Sequence, residues 1–318
     1  TALRSNPFCY LVARDSQVGE DRLHEHYSRV EARAAELQSA DRRLHYLGRP
    51  LDRLWWPVAV PGAVNPTRVR SAVRTPEASV DLVRLRSAIA RGLDASDDID
   101  QRYGHRVEQV TRRDDGFEVA GRTPDGEPWQ CRVDLVVNAL WDGRLAIDAQ
   151  LGLAPDRPWV HRLKHRVIGR MPPALGDLPS FTIVLGPFGD VVTRPYDDFL
   201  YLSWYPACMT GWSQALEPPA SWRPAATGEL DPDRQAPVIE GTLAAFDELV
   251  PGLGAATHTT ADGGVIYSWG DSDIEDPGSE LHRRHEVGVH HHDGYVSIDT
   301  GKLTTAPLFA DQLVGLLS

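Results

Sequence analysis

The chain has 318 residues, 42% hydrophobic and 25% charged, ordinary globular values that leave room for a sizeable buried core. Its formal net charge of -12 argues against a nucleic-acid partner, because phosphate binding needs a basic face. No apolar run approaches the roughly 20 residues that span a bilayer, and three widely spaced cysteines (Cys9, Cys131, Cys208) suggest neither a disulfide framework nor a thiolate metal site. Thr1–Arg4 has no apolar stretch behind it, so a reduced, cytoplasmic protein is expected, acting on a small molecule.

In chain order, residues 7–14 read as a strand, and Val18 to about Ser39 as a helix with Leu23, Tyr27, Val30 and Leu37 on one face. Tyr46–Asn65 is broken by proline and glycine around Leu54-Trp55-Trp56-Pro57. Ser79–Leu93 returns to helix, with Leu82, Leu85, Ile89 and Leu93 at helical spacing. Strands are expected at 106–110 and 116–119 and, after the turn Pro124-Asp125-Gly126, at 133–139. The last of these is a continuous apolar run, the pattern of a strand buried on both faces in a parallel sheet. It ends in Asn138-Ala139-Leu140-Trp141-Asp142-Gly143, small and polar residues at the strand edge where ligands bind in open α/β sheets.

Residues 158–206 alternate instead, which favours an antiparallel sheet. Glu217–Pro237 is proline-rich and expected as a loop, followed by a helix from Val238 to Leu249. Near the end, the strand Tyr295–Ile298 leads through Asp299-Thr300-Gly301 to Thr305, an expected N-cap, and to a helix carrying Leu308, Phe309, Leu313, Leu316 and Leu317. Such a corner offers backbone N–H groups and the positive end of a helix dipole, and Gly301 permits close approach.

The wording Gly301-Lys302-Leu303-Thr304-Thr305 resembles the flavin-contacting G-G-K-x-T-T motif of the D-amino-acid oxidase/glycerol-3-phosphate dehydrogenase superfamily of FAD-dependent oxidoreductases. Three further segments match that family in order: Ser79–Leu85 resembles its V-D-P-x-x-L helix, Arg106–Val110 its V-x-x-I/V strand, and Val136-Val137-Asn138-Ala139 its V-V-N-A-A-G strand. The resemblance implies an α/β (α+β) fold, with an FAD-binding Rossmann-like domain and an antiparallel-sheet substrate domain. Residues 1–45, 76–150 and 264–318 are expected to form the first, and 46–75 and 151–263 the second. It implies FAD as cofactor, held by Gly301, Lys302, Leu303, Thr304 and Thr305 and, at the nucleotide end, by Val107, Asn138, Ala139 and Leu140. The implied activity removes hydride from a carbon bearing nitrogen or oxygen and passes electrons to oxygen or another acceptor.

Two departures qualify this. The family's opening G-x-G-x-x-G unit is absent from the sequence, so its βαβ unit is expected from a preceding segment or from a second chain, and Thr1 is not expected to be the native start. The run Gly264–Gly270 carries Tyr267 and Ser268 where relatives often carry a substrate-binding arginine. A neutral or aromatic, hydroxylated substrate is therefore expected rather than a simple α-amino acid. The missing fingerprint and arginine also leave open a cofactor-free member serving as a binding or subunit-interaction module.

Arg194, Tyr201, Trp204, Tyr205, Tyr267 and Trp269 are the candidate substrate contacts, with aromatic core packing as the alternative reading of the rings. Alternation places Tyr201 and Tyr205 on one face and Trp204 on the other. His165, with His161 and Lys164 nearby, and Tyr267 are candidates for a proton-transfer role, a solvated basic strand being the alternative for the histidines. His282, His285 and His290–His292 lack carboxylates at ligand spacing, and no metal is expected.

Overall fold

The structure is a computed structural model describing residues 8–46, 53–194, 198–282, 287–299 and 302–317. Its strands in chain order are β1 Phe8–Ala13, β2 Trp56–Val58, β3 Val69–Thr75, β4 Arg106–Arg113, β5 Gly116–Arg122, β6 Pro128–Val133, β7 Val136–Asn138 and β8 Trp159–Arg170. There follow β9 Ser180–Ile183, β10 Gly189–Arg194, β11 Phe199–Trp204, β12 Met209–Ser213, β13 Thr257–Trp269, β14 Gly288–His292 and β15 Tyr295–Asp299. The helices are α1 Glu20–Ala40, α2 Leu82–Asp94, α3 Arg144–Gln150, α4 Tyr205–Cys208, α5 Arg223–Thr227, α6 Pro232–Leu249 and α7 Ala306–Leu317.

Two compact units result. The first comprises Thr1–Ser87, Lys164–Met209 and Thr227–Gly263, the second Ala88–Leu163, Thr210–Ala226 and Gly264–Ser318. The boundary falls within α2, β8, β12, α5 and β13. This differs from the expected domains. Residues 8–45, expected with the nucleotide-binding part, join the antiparallel sheet because β1 pairs antiparallel with β3 and parallel with β9. Residues 151–163 and 210–226, expected in the sheet domain, lie in the second unit.

In the first unit the sheet runs β8–β11–β10–β9–β1–β3–β2. Its odd-numbered face on β1, β9 and β10 (Cys9, Leu11, Phe181, Ile183, Val191), with Leu200 and Leu202 of β11, packs against Val238, Phe246 and Leu249 of α6. Helix α6 starts cleanly: Asp231 accepts from the N–H of Asp233 at 2.8 Å, and Pro232 sits at the first position, where its missing N–H costs nothing. The expected loop 217–237 is thus partly helical, with a 3-10 turn Ala220–Trp222, α5, and a first turn of α6 that begins five residues before Pro237. Pro224 and Pro232 stand in first turns, where a missing N–H costs nothing, while Pro237 is accommodated inside α6.

In the second unit β14, β15 and β7 form a three-stranded sheet with β7 at one edge. The β15–β7 pair is parallel, as the continuous apolar run implied. Val296 and Ile298 pack on Phe309 and Leu313 of α7, while Tyr295 packs on Ile147 of α3. A helix therefore covers each face. The β14–β15 hairpin turns at Asp293-Gly294, both at positive φ (49° and 79°), the conformation a two-residue type I′ turn demands. A separate meander β4–β5–β6 completes the unit, and Gln150 meets its edge strand β4 by accepting from the N–H of Val110 and donating to the carbonyl of Glu108.

Candidate functional site

Two groups of residues concentrate chemistry, one in each unit. In the second unit the ends of β7 and β15 are tied together by a buried polar cluster on α3. Arg144 and Asp148, one helical turn apart with 7% and 5% side-chain exposure, form an ion pair of 2.9 Å. Asp148 also accepts from Tyr295 Oη at 2.6 Å and Ser297 Oγ at 2.7 Å, and the Asn138 amide reaches Asp148 and the carbonyl of Arg144. Arg144 Nη2 lies 3.7 Å from Asp299, which accepts from Trp269 Nε1 at 2.6 Å. One cation thus faces two carboxylates in a dry setting. Such a cluster holds only when its hydrogen bonds are satisfied, and nearly all of these are.

Arg144 Nη2, 3.7 Å from Asp299, makes no hydrogen bond among the described residues, and neither does the buried Tyr267 hydroxyl. The Tyr267 ring lies over the Arg144 guanidinium at 5.4 Å and edge-on to Trp269. Burial pushes that phenol well above its ordinary range. An unmet buried donor beside the end of β15 is a costly feature in a finished core.

The expected cofactor contacts sit around this cluster. Asn138 is buried and its side chain is consumed internally, so it offers a ligand no side-chain contact. Ala139 is exposed and Leu140 is 45% exposed. Trp141, standing where the V-V-N-A-A-G motif has its glycine, adopts φ of 57°, the left-handed conformation that glycine adopts without strain. Its indole donates to the carbonyl of Val265 at 2.7 Å. Val107 and Leu140 line one cavity of about 490 Å³, together with His105, Arg106, Asp142 and Trp222. Burial raises the Asp142 carboxyl above its usual range.

At the other corner Lys302, Leu303 and Thr304 are exposed and Thr305 half-buried. Gly301 lies outside the described residues. Thr305 is not the N-cap: a 3-10 turn Leu303–Thr305 precedes α7, and the Thr305 hydroxyl donates back to the carbonyl of Lys302 at 2.6 Å. The tighter turn consumes the side chain that the sequence pattern assigned to capping. Exposed residues at the end of β7 and at the start of a twelve-residue helix suit a ligand with polar edges such as FAD.

In the first unit the candidates divide by face. Trp204 packs edge-on against Phe188 and Phe246 in the core, so it is a packing residue rather than a substrate contact. Tyr201 takes the opposite face, where burial and then the Asp190 charge push its phenol up to about 12. Tyr205 begins α4, with Lys164 Nζ 5.6 Å from its ring centroid. Arg194 stacks on Phe199 at 3.9 Å and pairs with Asp81 at 3.1 Å. His165 is 5% exposed, with Nδ1 3.2 Å from the carbonyl of Asp262, and burial lowers its pKa. It is a core histidine, not an open base. Tyr267 and Trp269 belong to the second unit and are not grouped with these side chains.

His290–His292 lie on β14 and His282 in a 3-10 turn, while His285 is outside the described residues. Among the described residues no group of histidine, cysteine and carboxylate side chains is arranged to hold a metal. No helix of the described residues is long and apolar enough to cross a membrane.

No family model and no curated protein matches the sequence. Solved structures do. Glycine oxidase from Geobacillus kaustophilus aligns with a TM-score of 0.58 at 14% identity, covering 99% of this chain and 72% of that one. Iminodiacetate oxidase from Chelativorans sp. BNC1 gives 0.54 at 15%, over 98% and 72%. Fructosamine oxidase from Aspergillus fumigatus gives 0.53 at 13%, over 99% and 67%. The chain shares its fold with these three oxidases. It is the fold that the four matching segments implied, an α/β part with an antiparallel sheet.

The sequence reading missed Arg144, Asp148 and Asp299 within this oxidase fold. Their signal was present: Arg-Leu-Ala-Ile-Asp places opposite charges at i and i+4 in an apolar helix, and Ser297 and Asp299 alternate through an otherwise apolar strand. It also passed over Asp190.

Proposed function

We propose that the protein is an FAD-dependent oxidoreductase that removes hydride from a carbon bearing nitrogen or oxygen in a small molecule and passes the electrons to oxygen or another acceptor. The observation that carries this reading is the fold shared with an oxidase over 99% of the chain, combined with exposed residues at both places where the resemblance expects the cofactor. The three neighbours are named for glycine, iminodiacetate and fructosamine, all compounds with a carbon–nitrogen bond. An amine is therefore the first substrate class to test.

FAD, when bound, supplies the hydride acceptor. The chain's own part is to hold and orient it. Val107, Ala139 and Leu140 would hold the nucleotide end beside the 490 Å³ cavity. Gly301, by sequence, and Lys302–Thr305 would present the start of α7 to the ring edge, where helix N–H groups favour negative charge. The Arg144–Asp148–Asp299 cluster fixes both strand ends, so these contacts stay in register. Tyr267 and Trp269 are retained as contacts toward the same region of the second unit. In the first unit Tyr201, Tyr205 and Arg194 are the proposed substrate contacts.

The unpaired edge of β7 supports a further element of the reading: a βαβ unit from a preceding segment or a second chain adds there and brings the dinucleotide fingerprint. A cytoplasmic location is part of the proposal, supported by three cysteines none of which is in a disulfide. The absence of G-x-G-x-x-G from the sequence favours the competing reading, a non-catalytic binding module. Purified protein separates the two. Flavin absorbance that bleaches on adding an amine under anaerobic conditions is expected. Colourless protein that takes up no added FAD would sink the oxidoreductase reading.

A further inference from the structure

The half-buried face of the first unit's sheet carries a carboxylate without a cation. Asp190 of β10 stands opposite Thr182 of β9 and Ser203 of β11, with Tyr10 of β1 next across Thr182 and Tyr201 on the neighbouring diagonal. Residues of this face alternate with fully buried ones, so Tyr10, Thr182, Asp190 and Tyr201 all keep part of their surface. Helix α1 covers the β1 side of this face, where Leu23 packs on Val12 and Val73 and the Tyr27 ring lies 5.7 Å from that of Tyr10.

The Asp190 carboxylate accepts from Thr182 Oγ1 at 2.6 Å, and among the described residues no ion pair includes it. Its charge is felt by both neighbouring phenols, Tyr201 and, after burial and Glu77, Tyr10. Of the arginines on the same face, Arg166 and Arg194 are committed elsewhere, whereas Arg170 of β8, opposite Phe199, enters no ion pair among the described residues. Arg166 is bidentate on Asp262 at 2.6 and 3.1 Å, and Arg194 is paired with Asp81. At Asp190 itself a ligand cation meets an unpaired charge flanked by aromatic rings, and Arg170 stands two strands away.

We infer that this face receives a cationic amine, its ammonium group seated on Asp190 with Tyr10 and Tyr201 as the aromatic walls. The inference deepens the proposed function and rests on it only in taking the bound molecule to be the substrate. It names Asp190 as the residue that selects amines over carboxylates of the same size. Substrates then carry a positive charge and need no carboxylate.

The test titrates the full chain with N-methylbenzylamine and, separately, with benzoate, followed by calorimetry at low and high salt. Amine binding should weaken about tenfold in Asp190→Asn, persist in Asp190→Glu and decline with salt, while benzoate gives no heat. Thr182→Val, which keeps the charge and removes only its hydroxyl neighbour, should still bind the amine and guards against misfolding of the asparagine variant. An unchanged dissociation constant in folded Asp190→Asn, no amine binding at all, or benzoate binding as tightly as the amine would overturn the inference. Absorbance of the same sample separates the two claims. Colourless protein that binds amine through Asp190 removes only the oxidoreductase reading, and yellow protein without Asp190-dependent binding removes only this one.

Discussion

Arg144 Nη1 donates to Asp148 Oδ2 at 2.9 Å across one turn of α3, and neither side chain reaches solvent by more than 7%. The pair is the hub through which β7, β15 and α3 are joined, since Asn138, Tyr295 and Ser297 all bond to Asp148. Removing the cation leaves a buried carboxylate that only neutral donors support.

Arg144→Met is therefore expected to destabilise the protein by about 3–5 kcal/mol, and the double variant Arg144→Met/Asp148→Leu by less than the single one. Urea unfolding followed by tryptophan fluorescence checks this. A single variant within about 0.5 kcal/mol of the parent would contradict the buried-pair account.

Helix α6 depends on Asp231 at its start, where the side chain accepts from the N–H of Asp233. Asp231→Ala should cost about 1 kcal/mol, and Asp231→Ser much less, because serine also caps. Thermal melts of the three proteins measure the difference.

Burial lowers the pKa of both His161 and His165 below the ordinary 6.5. A lowered folded value means that protons bind the unfolded chain better. The stability these groups contribute is complete above pH 6.5 and is lost as pH falls through their folded values, each proton giving a slope of at most about 1.4 kcal/mol per pH unit. Melting temperatures between pH 7.5 and 5 should fall, and His165→Gln should flatten the decline. A melting temperature independent of pH over that range would refute it.

Gly301→Val is expected to abolish flavin retention if the proposed function holds, because a branched side chain would stand where the ring must approach the main chain. The ratio of flavin to protein absorbance reads the outcome, with circular dichroism to report that the fold persists. Full flavin occupancy in the variant would reduce the terminal corner to a structural turn.

Much of the architecture was legible locally. The apolar run Val133–Ala139 marked the parallel pairing, but only Val136–Asn138 forms that strand, with Val133 ending β6 and Val137 left 36% exposed. The Asp293-Gly294 hairpin turns through two positive φ values. Tyr201 and Trp204 fall on opposite faces as alternation requires. Period-two and period-3.6 patterns carry this information because a side chain's face is set by its own backbone.

The sequence by itself determined which segments are strands or helices and which face of each is apolar. Tertiary structure alone decided which strands meet. Phe8–Ala13 reads equally well in either unit, and its place follows from pairing with Thr75 and Ser180, residues remote in the chain. The same holds for chemistry: Arg144, Asp148 and Asp299 become one buried cluster, and Arg166 and Arg194 are paired while Asp190 has no ion pair among the described residues, only through contacts between distant segments. Periodicity is local and pairing is not, so the elements were written in the residues and the site was written in the fold.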